Sequence, residues 1–182
     1  MEHTFGVLEP ETKKTLIVVD MQNDFVYGVL GTAEAVAIVE KVKAKIHKYH
    51  EAGHQIIFTR DTHTENYLNT SEGKHLPVKH CIHGTEGWQI IEGLEVPGCL
   101  YIDKPTFGWT YWDEMDLGDV ELVGVCTGIC VVSNALILKA EFPEDNISVD
   151  ASCCACVTPE SHKAALATMK MCQINVIEEV LS

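Results

Sequence analysis

The sequence predicts an α/β fold: a doubly wound, parallel, six-stranded sheet with helices on both faces, in a three-layer α/β/α arrangement. Short apolar runs rich in β-branched residues alternate along the chain with longer amphipathic segments. Continuous apolar runs are typical of strands that are covered on both faces, as in a parallel sheet. Regular alternation of strand and helix places each helix in a right-handed crossover between parallel strands.

Six runs are predicted to form the strands of this sheet. Each is short and apolar, with polar or glycine-containing segments on either side. In chain order they are TLIVVD (15–20), HQIIFTR (54–60), CLYID (99–103), VELVGV (120–125), ISVD (147–150) and INVIEE (174–179).

The interval between the first two strands is predicted to be a helix over residues 32–50. Its apolar residues recur at helical spacing, and Gly53 follows where a helix that ends in a left-handed conformation favours glycine. The apolar stripe predicted to lie on the sheet consists of Val36, Val39, Val42 and Ile46.

Two further helices are predicted at 129–142 and 159–172. Thr158 is the expected N-cap of the second, because its hydroxyl can accept a hydrogen bond from an amide of the first turn. Pro159 suits the first helical position, where no amide hydrogen is needed.

Length and composition indicate one globular domain, which we expect to span residues 1–182. Lys and Arg number 13 and Asp and Glu 27, a formal net charge of −14. This acidity disfavours nucleic acid and anionic membranes as partners, since both need a cationic surface. No segment has the pattern of a signal peptide or of a membrane-spanning helix, so a cytoplasmic location is expected.

The chain contains eight cysteines, three of them in the segment SCCAC (152–156). In a reducing compartment, disulfides are not expected, and cysteines serve as buried apolar residues, ligands or nucleophiles. No CxxC pair occurs, so the zinc-ribbon pattern is absent. We interpret SCCAC as small residues that pack in a connection between a strand and a helix.

Polar or nucleophilic residues follow four of the predicted strands. Asp20 ends the first, Asp61 follows the second, Lys104 follows the third, and the fourth runs into GVCTGICVVSNA (124–135). Ligands of doubly wound sheets bind at the carboxyl ends of the strands. An acid, an amine and a thiol at one edge of a sheet therefore predict a catalytic site there.

The cysteine turn could supply a metal-ligand pair, a redox pair or one nucleophile. Cys130 is the candidate nucleophile, because a helix N-terminus and Lys104 from a neighbouring strand would both lower the pKa of its thiol. Cys126 is expected to be held in the backbone turn. Asp20 could accept the thiol proton, and the backbone amides of Cys126 and Cys130 could form an oxyanion hole.

A long polar loop at about 60–88 carries a second group of candidates. Asp61 and His63 are two residues apart, so an extended backbone places both side chains on one face, and His80 follows later. Two imidazoles and a carboxylate suit Zn²⁺, Fe²⁺ or Mn²⁺.

Three segments together resemble the signatures of the isochorismatase-like cysteine hydrolases. They are VVDMQNDF (18–25), DKPTFG (103–108) and GVCTGICV (124–131), and the likeness in order and spacing covers nearly the whole chain.

This resemblance implies a catalytic triad of Cys130, Asp20 and Lys104, and a cis peptide bond between Val125 and Cys126. Because members that are isochorismatases proper often lack the cysteine, its presence here favours an amidase.

The polar loop resembles that of the nicotinamidase, or pyrazinamidase, branch of the family. The resemblance implies that Asp61, His63 and His80 bind a divalent metal, with zinc favoured and iron or manganese as alternatives. Glu72 stands where some nicotinamidases have a fourth ligand, and His75 is the less favoured substitute.

The implied activity is hydrolysis of nicotinamide to nicotinate and ammonia through a cysteine thioester, with the metal holding the pyridine ring. The family also commonly forms homo-oligomers. Many nicotinamidases carry an aromatic residue shortly before the later histidine, whereas this chain has Leu76; Phe25 and Phe107 could still flank a ring.

Two alternatives remain open from the sequence. A related cysteine amidase could act on another small carbamoyl or ureido amide. A different class, a non-catalytic metal or thiol-redox module, could use the cysteine-rich segments, although such a module would need neither Asp20 nor Lys104.

Overall fold

The computed structural model describes residues 13–178, and within them the predicted six-stranded parallel sheet is confirmed. The predicted domain extends past this range at both ends, and Glu179 of the sixth predicted strand lies outside it. The strands are β1 (Lys14–Val19), β2 (Gln55–Asp61), β3 (Leu100–Lys104), β4 (Asp119–Val125), β5 (Ile147–Ala155) and β6 (Asn175–Ile177). They are ordered β3-β2-β1-β4-β5-β6, and every neighbouring pair is parallel.

Within residues 13–178, the connections contain five α-helices and three short helical turns of other types. The α-helices are α1 (Asn23–Val26), α2 (Ala33–Glu51), α3 (Ser71–His75), α4 (Val132–Glu141) and α5 (Pro159–Met171). No helix between residues 13 and 178 is both long enough and apolar enough to cross a membrane.

Successive residues of the central strand β1 pack into two different cores, one on each face of the sheet. Leu16 and Val18 are fully buried in the cluster that also contains the apolar residues of α2. Ile17 and Val19 are fully buried in the cluster that contains residues of α4 and α5. Because side chains alternate across a strand, an apolar run is needed to fill both layers.

The predicted stripe of α2 is half right. Val42 and Ile46 are buried, but Val36 is 45% exposed and Val39 only partly buried. The first two turns of the buried face begin at Ala35, one residue before Val36, because a small alanine side chain packs on the sheet there. The face of α2 that packs on the sheet consists of Ala35, Ile38, Val42, Ile46 and Tyr49.

The ends of the helices follow the sequence signals. Thr32 accepts a hydrogen bond from the amide of Ala35, and Thr158 accepts one from the amide of Ser161. Gly53 follows α2 with φ of 71°, the left-handed conformation for which glycine is favoured.

The interpretation of SCCAC as a connection is wrong for most of that segment. β5 continues to Ala155, so only Cys156 follows the strand. The register of β4 against β5 shifts between Leu122 and Gly124, and the extra residues of β5 are accommodated at this irregularity. The alternation of polar and apolar residues that indicates a strand is absent from this segment, because it consists of serine, cysteine and alanine. The sequence pattern therefore could not reveal the longer strand.

Gly124 permits the close approach of β1 and β4 at the centre of the sheet. Its φ is 113°, and a Cβ atom there would lie 2.2 Å from the carbonyl oxygen of Val19 on the paired strand. The backbone at this position therefore requires glycine for both its conformation and its contact.

We predict that Gly124→Ala lowers the free energy of unfolding by about 3 kcal/mol or more, because a rigid backbone clash adds to the cost of the left-handed conformation. Gly53→Ala is the matched control, since its φ is also positive but no atom lies within 4 Å of the added Cβ. It should cost only about 1 kcal/mol. Urea unfolding of both variants checks the difference, and equal losses would contradict the assigned contact.

Candidate active site

The site lies at the carboxyl ends of the four strands β3, β2, β1 and β4, which are adjacent in that order. They place side by side Lys104, Asp61, Asp20 and the turn that contains Cys130. The chain reverses its winding direction between β1 and β4, and this switch point opens the crevice in which doubly wound folds bind ligands.

Lys104 is fully buried and contacts three of the other groups. Its Nζ lies 2.6 Å from Asp20 Oδ2, 3.7 Å from Asp61 Oδ1 and 3.6 Å from Cys130 Sγ. It comes from β3, which is separated from β4 by two strands, so the expectation of a neighbouring strand is wrong. The extended lysine side chain spans the distance.

Asp20 is the first residue after β1 and has a left-handed backbone, with φ of 50°. Its amide donates to the carbonyl and hydroxyl oxygens of Thr59, both at 3.2 Å, and the Thr59 hydroxyl donates to Oδ1 at 2.7 Å. Thr59 thereby fixes one carboxylate oxygen and leaves the other directed at Lys104.

Cys130 lies in a wide helical turn, Thr127–Val131, which precedes α4. The carbonyl oxygen of Cys126 accepts hydrogen bonds from the amides of Ile129 at 3.0 Å and Val131 at 3.1 Å, so Cys126 anchors the turn as expected. The peptide bond between Val125 and Cys126 is cis, as the family resemblance implies.

The pKa of the Cys130 thiol is raised well above its ordinary value, which contradicts the expectation that its surroundings lower it. Burial is the largest cause, and the charge of Asp20 adds to it, while Lys104 opposes both. Burial also raises the pKa of Asp20 against the opposing charge of Lys104. Both shifts favour the protonated, uncharged forms of the thiol and of the carboxyl group that lies near it.

Four side chains of the polar loop form one cluster: Asp61, His63, Glu72 and His80. One ligand atom from each lies within 4.8 Å of the other three. Asp61 Oδ2 is 2.8 Å from His63 Nε2 and 3.4 Å from His80 Nε2, and Glu72 Oε1 is 3.5 Å from His63 Nε2. The two oxygens of Asp61 thus face different partners, one the imidazoles and the other Lys104.

Surrounding hydrogen bonds hold these ligand atoms in position. His80 Nδ1 is 2.8 Å from the carbonyl oxygen of Val78, an arrangement that leaves Nε2 with a free lone pair. Gln22 clamps the backbone of Asp61 directly, accepting from its amide at 2.7 Å and donating to its carbonyl at 2.9 Å.

The donor set fits a divalent metal ion of the zinc, iron or manganese type. Two imidazole nitrogens and two carboxylates suit these ions. Among the described residues, Asp61 Oδ1 is a buried atom that forms no hydrogen bond, and His63 Nε2 faces the two carboxylates of the cluster. Burial lowers the pKa of His63, but the carboxylates of Asp61 and Glu72 outweigh it and raise the pKa to about 9. The cluster therefore attracts positive charge.

Glu72, and not His75, completes this cluster. His75 is exposed, and its Nδ1 lies 2.8 Å from the carbonyl oxygen of Ser71, one turn earlier in the chain. Between residues 13 and 178, no other grouping of three or more potential metal ligands occurs, and this one contains no cysteine.

A cavity of about 230 Å³, here called the substrate cavity, joins the thiol to the cluster. Its lining includes Cys130 together with Asp61 and His80. The rings of Phe25 and Phe107 also line it, as the sequence predicts. The other walls are mostly apolar, and no lysine or arginine side chain is among the described residues that line it.

Asn134 joins two parts of this site, and no pattern in the sequence singles it out. Its side chain is fully buried and forms hydrogen bonds with four residues in all. It accepts from the Trp109 amide and Trp112 Nε1, and it donates to the carbonyl oxygens of Phe107 and Cys130. An asparagine in a helix such as α4 has no distinguishing feature in the sequence, because its hydrogen-bond partners come from other parts of the fold.

His162 of α5 also contacts the cysteine turn. Its Nδ1 lies 2.8 Å from the hydroxyl oxygen of Thr127, which is fully buried. The contact joins α5 to the turn that carries Cys130.

Comparison with known proteins gives the family. A profile described as "Isochorismatase domain" matches residues 14–179 of this chain. An "Uncharacterized isochorismatase family protein PncA" of Bacillus subtilis (strain 168) is 29% identical over 142 residues, which cover 68% of this chain and 77% of that protein.

Solved structures agree with the profile. The nicotinamidase PncA from Bacillus subtilis superposes with a TM-score of 0.79 at 25% identity, covering 91% of this chain and 99% of that one. The pyrazinamidase of Pyrococcus horikoshii in complex with zinc gives 0.80 at 27% identity, with the same coverage of 91% and 99%.

Sheet order, site position and structural likeness together define a three-layer α/β hydrolase. The chain belongs to the isochorismatase family, as the profile match over residues 14–179 shows.

We predict that Asn134→Leu lowers the free energy of unfolding by about 2–5 kcal/mol, because it leaves several buried donors and acceptors without partners. Asn146→Leu is the control, since Asn146 is exposed and should change stability by less than about 0.5 kcal/mol. Denaturant unfolding gives both values. Wild-type stability in Asn134→Leu would show that these four contacts are dispensable.

Proposed function

We propose that this protein is a metal-dependent amidase of the nicotinamidase type, which hydrolyses nicotinamide to nicotinate and ammonia. The observation that carries the proposal is one cavity with the Cys130 thiol on one wall and the cluster of Asp61, Glu72 and His80 on another. Two separate functions, bond cleavage and ring binding, would then act on a single small molecule.

Cys130 is the proposed nucleophile. Its sulfur attacks the carboxamide carbon as Asp20 Oδ2 accepts the thiol proton, and the same proton then passes to the leaving nitrogen so that the carbon–nitrogen bond breaks and ammonia departs. The buried cation of Lys104, 3.6 Å from the sulfur, stabilises the negative charge that develops.

The second half of the reaction regenerates the thiol. Water attacks the thioester carbon, Asp20 accepts a proton from that water, and nicotinate leaves as the proton returns to sulfur. The backbone amides of Cys126 and Cys130 are proposed to donate to the oxygen of the tetrahedral intermediates, where each donor typically contributes a factor of about 10²–10³ in rate.

Asp61, His63, Glu72 and His80 are the proposed metal ligands, and zinc is the favoured ion. When bound, the ion would supply a Lewis acid for the pyridine nitrogen, and the four residues that hold it would thereby orient the ring. Phe25 supports this side of the cavity, with its ring 5.4 Å from that of His80.

The lining of the cavity favours a neutral aromatic amide over the ureido acids that the alternative amidase would use. Apart from the proposed metal ion, which the ring nitrogen would occupy, a substrate carboxylate would find no cation, because the ionisable side chains that line the cavity are Asp61, Glu72, His80 and cysteines. The mostly apolar remainder suits a ring. Leu76, which stands where an aromatic residue is common, lines the cavity too.

We further propose that the protein works in the cytoplasm, where unpaired cysteines remain reduced, and that its product supplies pyridine-nucleotide salvage. A homo-oligomeric state is proposed from the family resemblance.

The test is ammonia release from a panel of small amides by zinc-loaded protein, with nicotinamide, pyrazinamide and an N-carbamoyl amino acid as substrates. Nicotinamide should be hydrolysed, and a chelator should abolish its hydrolysis. Cys130→Ala should lose about 10⁴-fold or more in kcat while it binds zinc stoichiometrically. Cys172→Ala, which changes an exposed cysteine, is the control.

Preference for the N-carbamoyl amino acid would overturn the proposed substrate in favour of the alternative amidase. Retained turnover in Cys130→Ala, or loss of zinc together with the thiol, would overturn the proposed division between nucleophile and metal.

A further inference from the structure

The metal cluster can be reached from two sides, and the two approaches differ in chemistry. The substrate cavity touches the cluster at Asp61, Glu72 and His80. A second cavity of about 620 Å³, here called the polar groove, touches it at His63 and Glu72. The other polar residues of the groove are Thr70, Ser71, His75 and Thr106.

The groove reaches the most accessible ligand of the cluster. The Glu72 side chain is 20% exposed, whereas the side chains of Asp61, His63 and His80 are 7% exposed or less. An ion that arrives from solvent through the groove therefore meets Glu72 before the deeper ligands.

The inner end of the groove is the buried imidazole of His63. Its Nε2 faces two carboxylates, Asp61 Oδ2 at 2.8 Å and Glu72 Oε1 at 3.5 Å. Carboxylates grouped around an imidazole at the end of the groove attract a cation, which is a feature expected for a path that delivers one.

His75 supplies a further donor at the outer part of the groove. It lies three residues after Glu72 on α3, so the two side chains lie on one face of that helix. With the Nδ1 hydrogen donated to the Ser71 carbonyl oxygen, Nε2 keeps its lone pair. His75 is exposed, so a hydrated ion can reach it directly.

We propose that the polar groove is the route by which a hydrated divalent cation reaches and leaves the cluster, and that His75 is the first side chain to bind it. His75 then passes the ion to Glu72, and Asp61, His63 and His80 complete the binding as water is lost. The substrate cavity is left to the organic substrate. The inference rests on the metal site of the proposed function but not on its substrate.

A residue on the route and a permanent ligand have different kinetic signatures. A route residue lowers the barrier in both directions, so its loss slows uptake and release by the same factor and leaves Kd unchanged. A ligand stabilises the bound state, so its loss raises Kd and speeds release. Rates and equilibrium together therefore distinguish His75 from Glu72.

The experiment measures Zn²⁺ uptake by metal-free protein in stopped flow with a chromogenic zinc indicator, and zinc release to excess dipicolinate. His75→Ala should slow both processes by about tenfold, which corresponds to about 1.4 kcal/mol added to the barrier in each direction, with Kd unchanged. His75→Asp should restore the rates, because it returns a donor. His47→Ala, which removes an exposed histidine of α2, should leave both rates unchanged.

Steric variants test the route itself. Thr106→Trp in the groove should slow zinc uptake, whereas Leu30→Trp in the substrate cavity should leave uptake unchanged and raise the KM for nicotinamide. Normal uptake in Thr106→Trp and His75→Ala, or uptake slowed by Leu30→Trp, would overturn the inference. A Kd raised by His75→Ala would make His75 a ligand and also overturn it.

The outcomes separate this inference from the proposed function. If wild-type protein binds no zinc, the metal site itself fails and the inference fails with it. If zinc binds and supports ammonia release while His75→Ala exchanges zinc at the wild-type rate, only the inference fails.

Discussion

The buried amine of Lys104 is the constraint on which the rest of the site depends. A fully buried cation is tolerated only when opposite charges surround it, and here Asp20 and Asp61 lie at 2.6 and 3.7 Å from its Nζ. Burial lowers the pKa of Lys104, but these neighbours and the Cys130 sulfur outweigh it and raise the pKa above its ordinary value. The amine of Lys104 thus joins the Cys130 thiol, the Asp20 carboxylate and the candidate metal cluster in one electrostatic unit.

Asp61 connects the two halves of that unit. Burial raises its pKa, but the imidazoles of His63 and His80 and the charge of Lys104 outweigh burial and hold the pKa below its usual range. Its two oxygens contact different neighbours, so a single carboxylate fixes the position of the proposed metal ligands relative to Lys104. The parallel sheet makes this possible, because strands about 4.8 Å apart bring residues that are distant in sequence to one edge.

The sequence predicted the strands, their parallel arrangement and the residues gathered at the site, because short apolar runs and polar strand ends are local signals. It did not predict properties that depend on the assembled sheet. The order of the strands places two strands between that of Lys104 and the one that leads into the cysteine turn, and burial reverses the expected direction of the Cys130 pKa. Asn134 and His162 gain their partners only through tertiary packing, so no local pattern identifies their contacts.

The most direct test of the account is intact-protein and peptide mass spectrometry of zinc-loaded protein, quenched in acid within milliseconds of mixing with nicotinamide. The account predicts one nicotinoyl group on Cys130, no adduct in Asp20→Asn, and a weaker adduct in Lys104→Met. Turnover with the acyl group on Cys126 or Cys156 would contradict the account. Turnover in which neither the acid quench nor trapping with hydroxylamine detects an acyl group would also contradict it.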